Sequence, residues 1–228
     1  AVDYVIRDDR RSGITHDPRV GMIGASYGGA VLYAAAAVDP RIDTIVPQET
    51  WSNLMYALTP NNADLDDNLQ SPALGVAKKG WASAFFLAGL MQPILNPRVY
   101  RPDTTCPGFR PEACPVITHG LEFGYPDETA LLLNPDVSPL FYADRINVPV
   151  FINQGISDSL FNLNEGVAIY QRLKQRGVTV KLLWMSWGHG GGNCLQPFPP
   201  GPPCAGLPVP GELDATQPLE DSHQGREY

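Results

Sequence analysis

A serine, an aspartate and a histidine follow one another in an order that nucleophilic chemistry can use. Ser26 lies in Gly24-Ala25-Ser26-Tyr27-Gly28-Gly29, Asp158 in Gly155-Ile156-Ser157-Asp158, and His189 in Trp187-Gly188-His189-Gly190-Gly191-Gly192. A serine hydroxyl is a weak nucleophile until a base takes its proton, and that base needs a carboxylate to orient it. Such a set attacks acyl carbons. The backbone amide of Tyr27, next after the serine, is placed to receive the oxyanion that forms.

Each of these residues needs an element to present it. The short apolar run Val20-Gly21-Met22-Ile23 predicts a strand that feeds a sharp turn at Ser26. The alanine-rich helix 28–38 follows and is stopped by Asp39-Pro40. Small residues flank the serine because the turn forces backbone angles that side chains resist, and the helix start turns its positive end toward the hydroxyl. The bland alternative is a glycine-rich strand–helix connection with an inert serine.

Further strands are predicted at 42–47, 148–154 and 178–184, with an amphipathic helix at 164–176 that ends at Gly177. A helix end is read at Tyr4-Val5-Ile6. Strands alternating with helices predict a parallel sheet covered on both faces. Ser26, Asp158 and His189 then all fall at the carboxyl edge of that sheet, where such folds put their chemistry. The order serine, acid, histidine is that of the α/β-hydrolase fold. The expected class is therefore α/β: the carboxyl-terminal half of a hydrolase sheet, with a helical cap inserted.

Competing groups are less well placed. His16 precedes the first strand, His119 lies inside the insertion and His223 lies in the tail. Asp144 precedes its strand, and Glu165 is read as a helix residue on a solvated face or in a local pair. Asp158 is read as the only acid directly after a strand on the required side. The expected segments are 1–47, core with the nucleophile turn; 48–144, the cap; 145–195, core with acid and histidine; and 196–228, a proline-rich loop and tail. Within the cap, Trp51, Met55 and Tyr56 fall at helical spacing, 61–68 is acidic and 81–91 is apolar.

The chain has 228 residues, 43% of them apolar and 18% charged, as suits a packed globular protein. Its formal charge of −8 argues against nucleic acid or an anionic membrane as partner. No apolar run reaches membrane-spanning length and no leader is visible at Ala1-Val2-Asp3-Tyr4. Four cysteines form two local couples, Cys106 with Cys114 and Cys194 with Cys204, the second pinning the proline-rich stretch 197–210. Three pairings are open to four cysteines; the local one is preferred because each couple closes a short loop. Free cysteines remain an alternative, while zinc is disfavoured because no C-x-x-C or histidine stands at ligand spacing. Two disulfides imply an oxidising, secreted or extracytoplasmic location. No cofactor and no metal are expected.

Four stretches together carry a family likeness: Asp17-Pro18-Arg19 through Gly29, Asp39-Pro40-Arg41-Ile42-Asp43, Gln154 through Phe161, and Gly188-His189-Gly190-Gly191. They resemble the Xaa-Pro dipeptidyl-peptidase and cocaine-esterase family of serine α/β-hydrolases, over most of residues 1–195. The resemblance implies that Ser26, Asp158 and His189 form the triad and that 48–144 covers the active site. Family members also carry earlier strands with a second oxyanion donor, and a carboxyl-terminal jelly roll. Neither is found, so a fragment, a processed piece or one partner of a pair is expected. The expected function is cleavage of an acyl ester or amide through an acyl-enzyme. Xaa-Pro dipeptidyl-peptidase and a non-catalytic binding fragment are the alternatives.

Overall fold

The computed structural model describes residues 19–61, 74–96, 105–156, 158–185, 188 and 189. Outside them lie the helix end at 4–6, the acidic residues 62–68, His16, His223, Cys194, Cys204 and the proline-rich tail. The chain divides into two compact units, one with its described residues in 19–52 and 139–189, the other spanning 53–138.

Four parallel strands form the first unit: β1 (Gly21–Ala25), β2 (Thr44–Gln48), β3 (Val150–Gly155) and β4 (Val180–Met185), side by side in chain order. Helix α1 (Tyr27–Val38) joins β1 to β2. The second unit contributes α2 (Leu54–Leu58), α3 (Lys79–Leu95), α4 (Ala113–Phe123) and α5 (Glu128–Val137). The chain re-enters the first unit through α6 (Pro139–Tyr142), and α7 (Leu163–Gln175) joins β3 to β4. The parallel sheet and its helices are those the sequence predicts, with ends displaced by two residues at most.

Strand pairing explains where the core sits. Met22 pairs with Ile45, Ile45 with Val150, and Ile152 with Leu182, so these side chains share one face. Leu32, Tyr33 and Ala36 of α1 and Ile169 and Leu173 of α7 pack on that same face, in one cluster. The opposite face carries Ile23, 69% exposed, and Phe151, 38% exposed. Among the described residues both connecting helices cover one side, and the expectation of a sheet covered on both faces extends to residues outside those described. A right-handed crossover between neighbouring parallel strands, repeated in the same direction, lays every helix on the same face.

Two local features fix the ends of these elements. Gly177 takes the left-handed conformation (φ 76°), and Val178 N–H donates to Leu173 O at 3.1 Å, ending α7 as its sequence predicts. Arg176 reaches back to the turn before β3, donating to Ile146 O and Asn147 Oδ1 at 2.9 Å each, and to the carbonyls of Ala143 and Asp144. At the other end, a Cβ on Gly24 would stand 2.9 Å from the carbonyl carbon of Gly28. That contact is backbone against backbone and cannot relax by a rotamer change. Gly24→Ala is expected to lower stability by about 1–3 kcal/mol, read as a reduced thermal midpoint.

In the second unit Asn53 Oδ1 accepts Tyr56 N–H at 3.3 Å and starts α2 there. The helical run read through Trp51 is corrected accordingly: Trp51 precedes the cap and is buried in the first unit. The apolar stretch 81–91 is the middle of α3, as expected. Cys106 and Cys114 are disulfide-bonded with Cα atoms 5.6 Å apart. Met55, Phe85, Phe86, Ile117, Leu133 and Val137 help to line an apolar cavity of about 250 Å³.

Each unit closes on itself where the chain passes between them. In the first, Leu140 N–H donates to Ser52 O at 2.9 Å. In the second, Leu54 N–H donates to Ser138 Oγ at 2.9 Å and Asn134 Nδ2 to Asn53 Oδ1 at 2.8 Å. Among the described residues no helix is long and apolar enough to cross a membrane.

Candidate active site

Ser26 sits between the last residue of β1 and the first of α1, with φ 55° and ψ −125°. A non-glycine residue held at positive φ costs of order 1–3 kcal/mol and persists only where its surroundings impose it. Here the constraint is visible. Ser26 N–H donates to Gln48 O at the end of β2 at 2.9 Å, and Ser26 O accepts Ala30 N–H at 3.2 Å. Strand and helix therefore clamp the turn from both sides. Tyr27 opens α1, so its amide is among the helix-start donors that the helix itself cannot satisfy.

Asp158 stands just past β3 and is buried, 5% exposed. Its Oδ1 accepts the amides of Leu160 and Phe161 at 2.8 Å each. These two bonds orient the carboxylate, and its Oδ2 meets His189 Nδ1 at 2.5 Å. With Nδ1 carrying its proton toward Asp158, Nε2 of His189 holds the lone pair, the arrangement that general-base work requires. Phe161 presents its ring at 89° to the imidazole, centroids 4.9 Å apart. Trp51 lies against Phe161 at 5.0 Å and Tyr27 against Trp51 at 6.3 Å. A run of aromatic rings thus links the residue after Ser26 to the histidine along one sheet edge.

The structure brings Asp158 and His189 into direct contact and puts Ser26 at the carboxyl end of β1. Among the described residues Ser26 makes no hydrogen bond with His189. The other candidates separate cleanly. His119 belongs to the second unit, where its Nδ1 pairs with Tyr125 O at 3.1 Å and its ring packs on Phe123. Asp144 is exposed on the turn before β3.

Two readings of acidic residues are corrected. Glu165 lies in the first turn of α7 but is fully buried, accepting Ser52 N–H at 2.7 Å and Ser52 Oγ–H at 2.8 Å. An inward position on α7 overrode the usual surface preference of glutamate, because Ser52 supplies buried donors. Glu165→Leu would leave both donors buried without that acceptor, costing about 1–3 kcal/mol for each. Glu165→Gln, which keeps an acceptor, should unfold in urea at a midpoint closer to wild type.

Asp158 is also not the only acid after a strand. Glu49 directly follows β2, and one carboxylate oxygen each of Glu49 and Asp158 lies with a ring nitrogen of His189 within 4.8 Å of one another. Sequence reading passed over Glu49. Its signal was position: it stands directly past β2, closer to its strand than Asp158 stands to β3.

Comparison with known proteins bears out the resemblance over part of the chain. Residues 14–83 match the family described as X-Pro dipeptidyl-peptidase (S15 family). Among solved structures, the chain is similar to an acylaminoacyl peptidase from Pyrococcus horikoshii, at 16% identity and a TM-score of 0.46, covering 82% of this chain and 22% of that one. It is similar to a puromycin-hydrolyzing peptidase from Mycobacterium tuberculosis at 15% identity and 0.45, covering 82% and 21%. A Pyrococcus furiosus esterase follows at 17% identity and 0.42, covering 81% and 50%. The chain thus spans about a fifth of the length of these peptidases. No curated protein matches it. By name, the matched family and all three proteins are peptidases or an esterase.

Proposed function

We propose that this chain carries the catalytic residues of a serine hydrolase that cleaves an acyl ester or amide through a covalent acyl-enzyme. The observation that carries the reading is the Asp158–His189 hydrogen bond of 2.5 Å, made on a sheet whose first strand ends in a strained serine. Ser26 Oγ attacks the acyl carbon as His189 Nε2 takes its proton. The oxyanion falls to the Tyr27 amide, and Asp158 holds the imidazolium. His189 returns the proton to the leaving oxygen or nitrogen, and the scissile bond breaks. Water, deprotonated by His189, then displaces Ser26 and releases the acid.

A second reading narrows the substrate to peptides with proline in the second position, released as dipeptides. The match of residues 14–83 favours it. A secreted or extracytoplasmic location accords with the Cys106–Cys114 disulfide.

Incubation of the chain with a fluorophosphonate, followed by peptide mapping, should place the adduct on Ser26. Hydrolysis of short acyl esters against chromogenic Xaa-Pro amides separates the two substrate readings. An unlabelled Ser26 together with turnover of neither substrate would overturn both.

A further inference from the structure

Asp158 has a neighbour of its own kind. Glu49 and Asp158 come from the ends of adjacent strands, β2 and β3, and their carboxylates converge with the His189 ring within 4.8 Å. Glu49 Oε1 is withdrawn from solvent. Its backbone is held at φ 43°, in the left-handed region, by donation of its amide to Asn153 O at 2.8 Å. Glutamate has no steric reason to occupy that region, which asparagine or glycine tolerates better.

We propose that Glu49 is a second acidic positioning residue for His189, acting beside Asp158 rather than through it. Asp158 fixes the tautomer by direct hydrogen bonding. Glu49 adds a negative charge close enough to stabilise the imidazolium that forms as the ring takes the serine proton. This deepens the proposed hydrolytic reading and rests on it. Among the described residues, the groups facing the ring include Glu49 from just past β2, Asp158 from the loop after β3, and the uncharged Phe161. Glu165 of α7 is engaged with Ser52. Two carboxylates on one imidazole also give the site a reserve, because loss of Asp158 leaves a charge near the ring.

The test has two arms. In the first, the His189 imidazole is titrated by NMR in the full chain, its resonance assigned by loss in a His189→Gln variant. Glu49→Gln should lower the titration midpoint by about one pH unit, the order expected for removing a single charge whose oxygen lies within 4.8 Å of a ring nitrogen. Glu49→Asn, suited to the left-handed backbone, should do the same if the glutamine variant folds poorly. Glu49→Asp should retain most of the wild-type midpoint. An unchanged midpoint in both neutral variants would overturn the proposal.

In the second arm, Glu49→Gln is combined with Asp158→Asn. Glu49→Gln should cost about threefold in kcat alone and about tenfold or more on top of Asp158→Asn, because coupled groups are not additive. Equal factors in both backgrounds would show that Glu49 is not a reserve acid. The first arm reads a proton and not turnover, so a chain that hydrolyses nothing refutes the function while leaving this pairing open to the titration.

Discussion

Ser26→Ala should abolish fluorophosphonate labelling and reduce kcat by about 10⁶-fold, leaving only what binding and the backbone amide of residue 27 provide. The fold should survive, because the clamp on this turn is made by backbone atoms: Ser26 N–H on Gln48 O and Ser26 O on Ala30 N–H. Ser26→Gly is the sharper variant. It removes the nucleophile and also the Cβ that makes φ 55° costly, so it should be as inactive as alanine yet more stable by about 1–2 kcal/mol. Inactivity with a raised thermal midpoint would mean that stability has been sacrificed to present the hydroxyl. A glycine variant melting at or below wild type would mean that the turn is relaxed as it stands.

The second large effect belongs to Asp158→Asn. The Leu160 and Phe161 amides each donate to Oδ1 at 2.8 Å, so an asparagine there keeps its carbonyl oxygen toward them. Its NH₂ group is thereby turned toward His189. The imidazole must answer with a lone pair on Nδ1, which moves its proton to Nε2, the wrong nitrogen for a base. A loss of about 10³- to 10⁴-fold in kcat is expected at neutral pH, with thermal stability nearly unchanged. Asp158→Ala removes the acceptor for both amides and should lose stability as well as rate. The split between these two variants separates tautomer control from loop support.

Much of this was legible beforehand, for definite physical reasons. Val150 and Ile152 announce a buried strand because β-branched side chains fit a pleated surface. Gly177 marks the end of α7 because an αL residue is needed there. The turn at Ser26 was legible because glycines stand two positions to either side of it, and Gly24 runs too close to the Gly28 backbone to carry a side chain. What escaped depends on partners distant in sequence. Glu165 looks like any surface glutamate until Ser52, 113 positions away, is seen to fill its carboxylate. Glu49 was marked only by its place just past β2, since its neighbours Asn153, Asp158 and His189 lie far along the chain.

The hydrogen bonds that close each unit at the chain crossings have a consequence for changes in chain length. Leu140 on Ser52 ties the sheet unit together at the point where the helical unit is spliced in, and Leu54 on Ser138 seals the insert at its own base. An insert whose ends already meet can lengthen, shorten or be exchanged without shifting the register of β2 against β3. The entropic cost of a longer excursion grows only logarithmically, about 0.6 kcal/mol per doubling. Lengthening the excursion between Ser52 and Pro139 is therefore expected to leave the residues at the strand ends where they are.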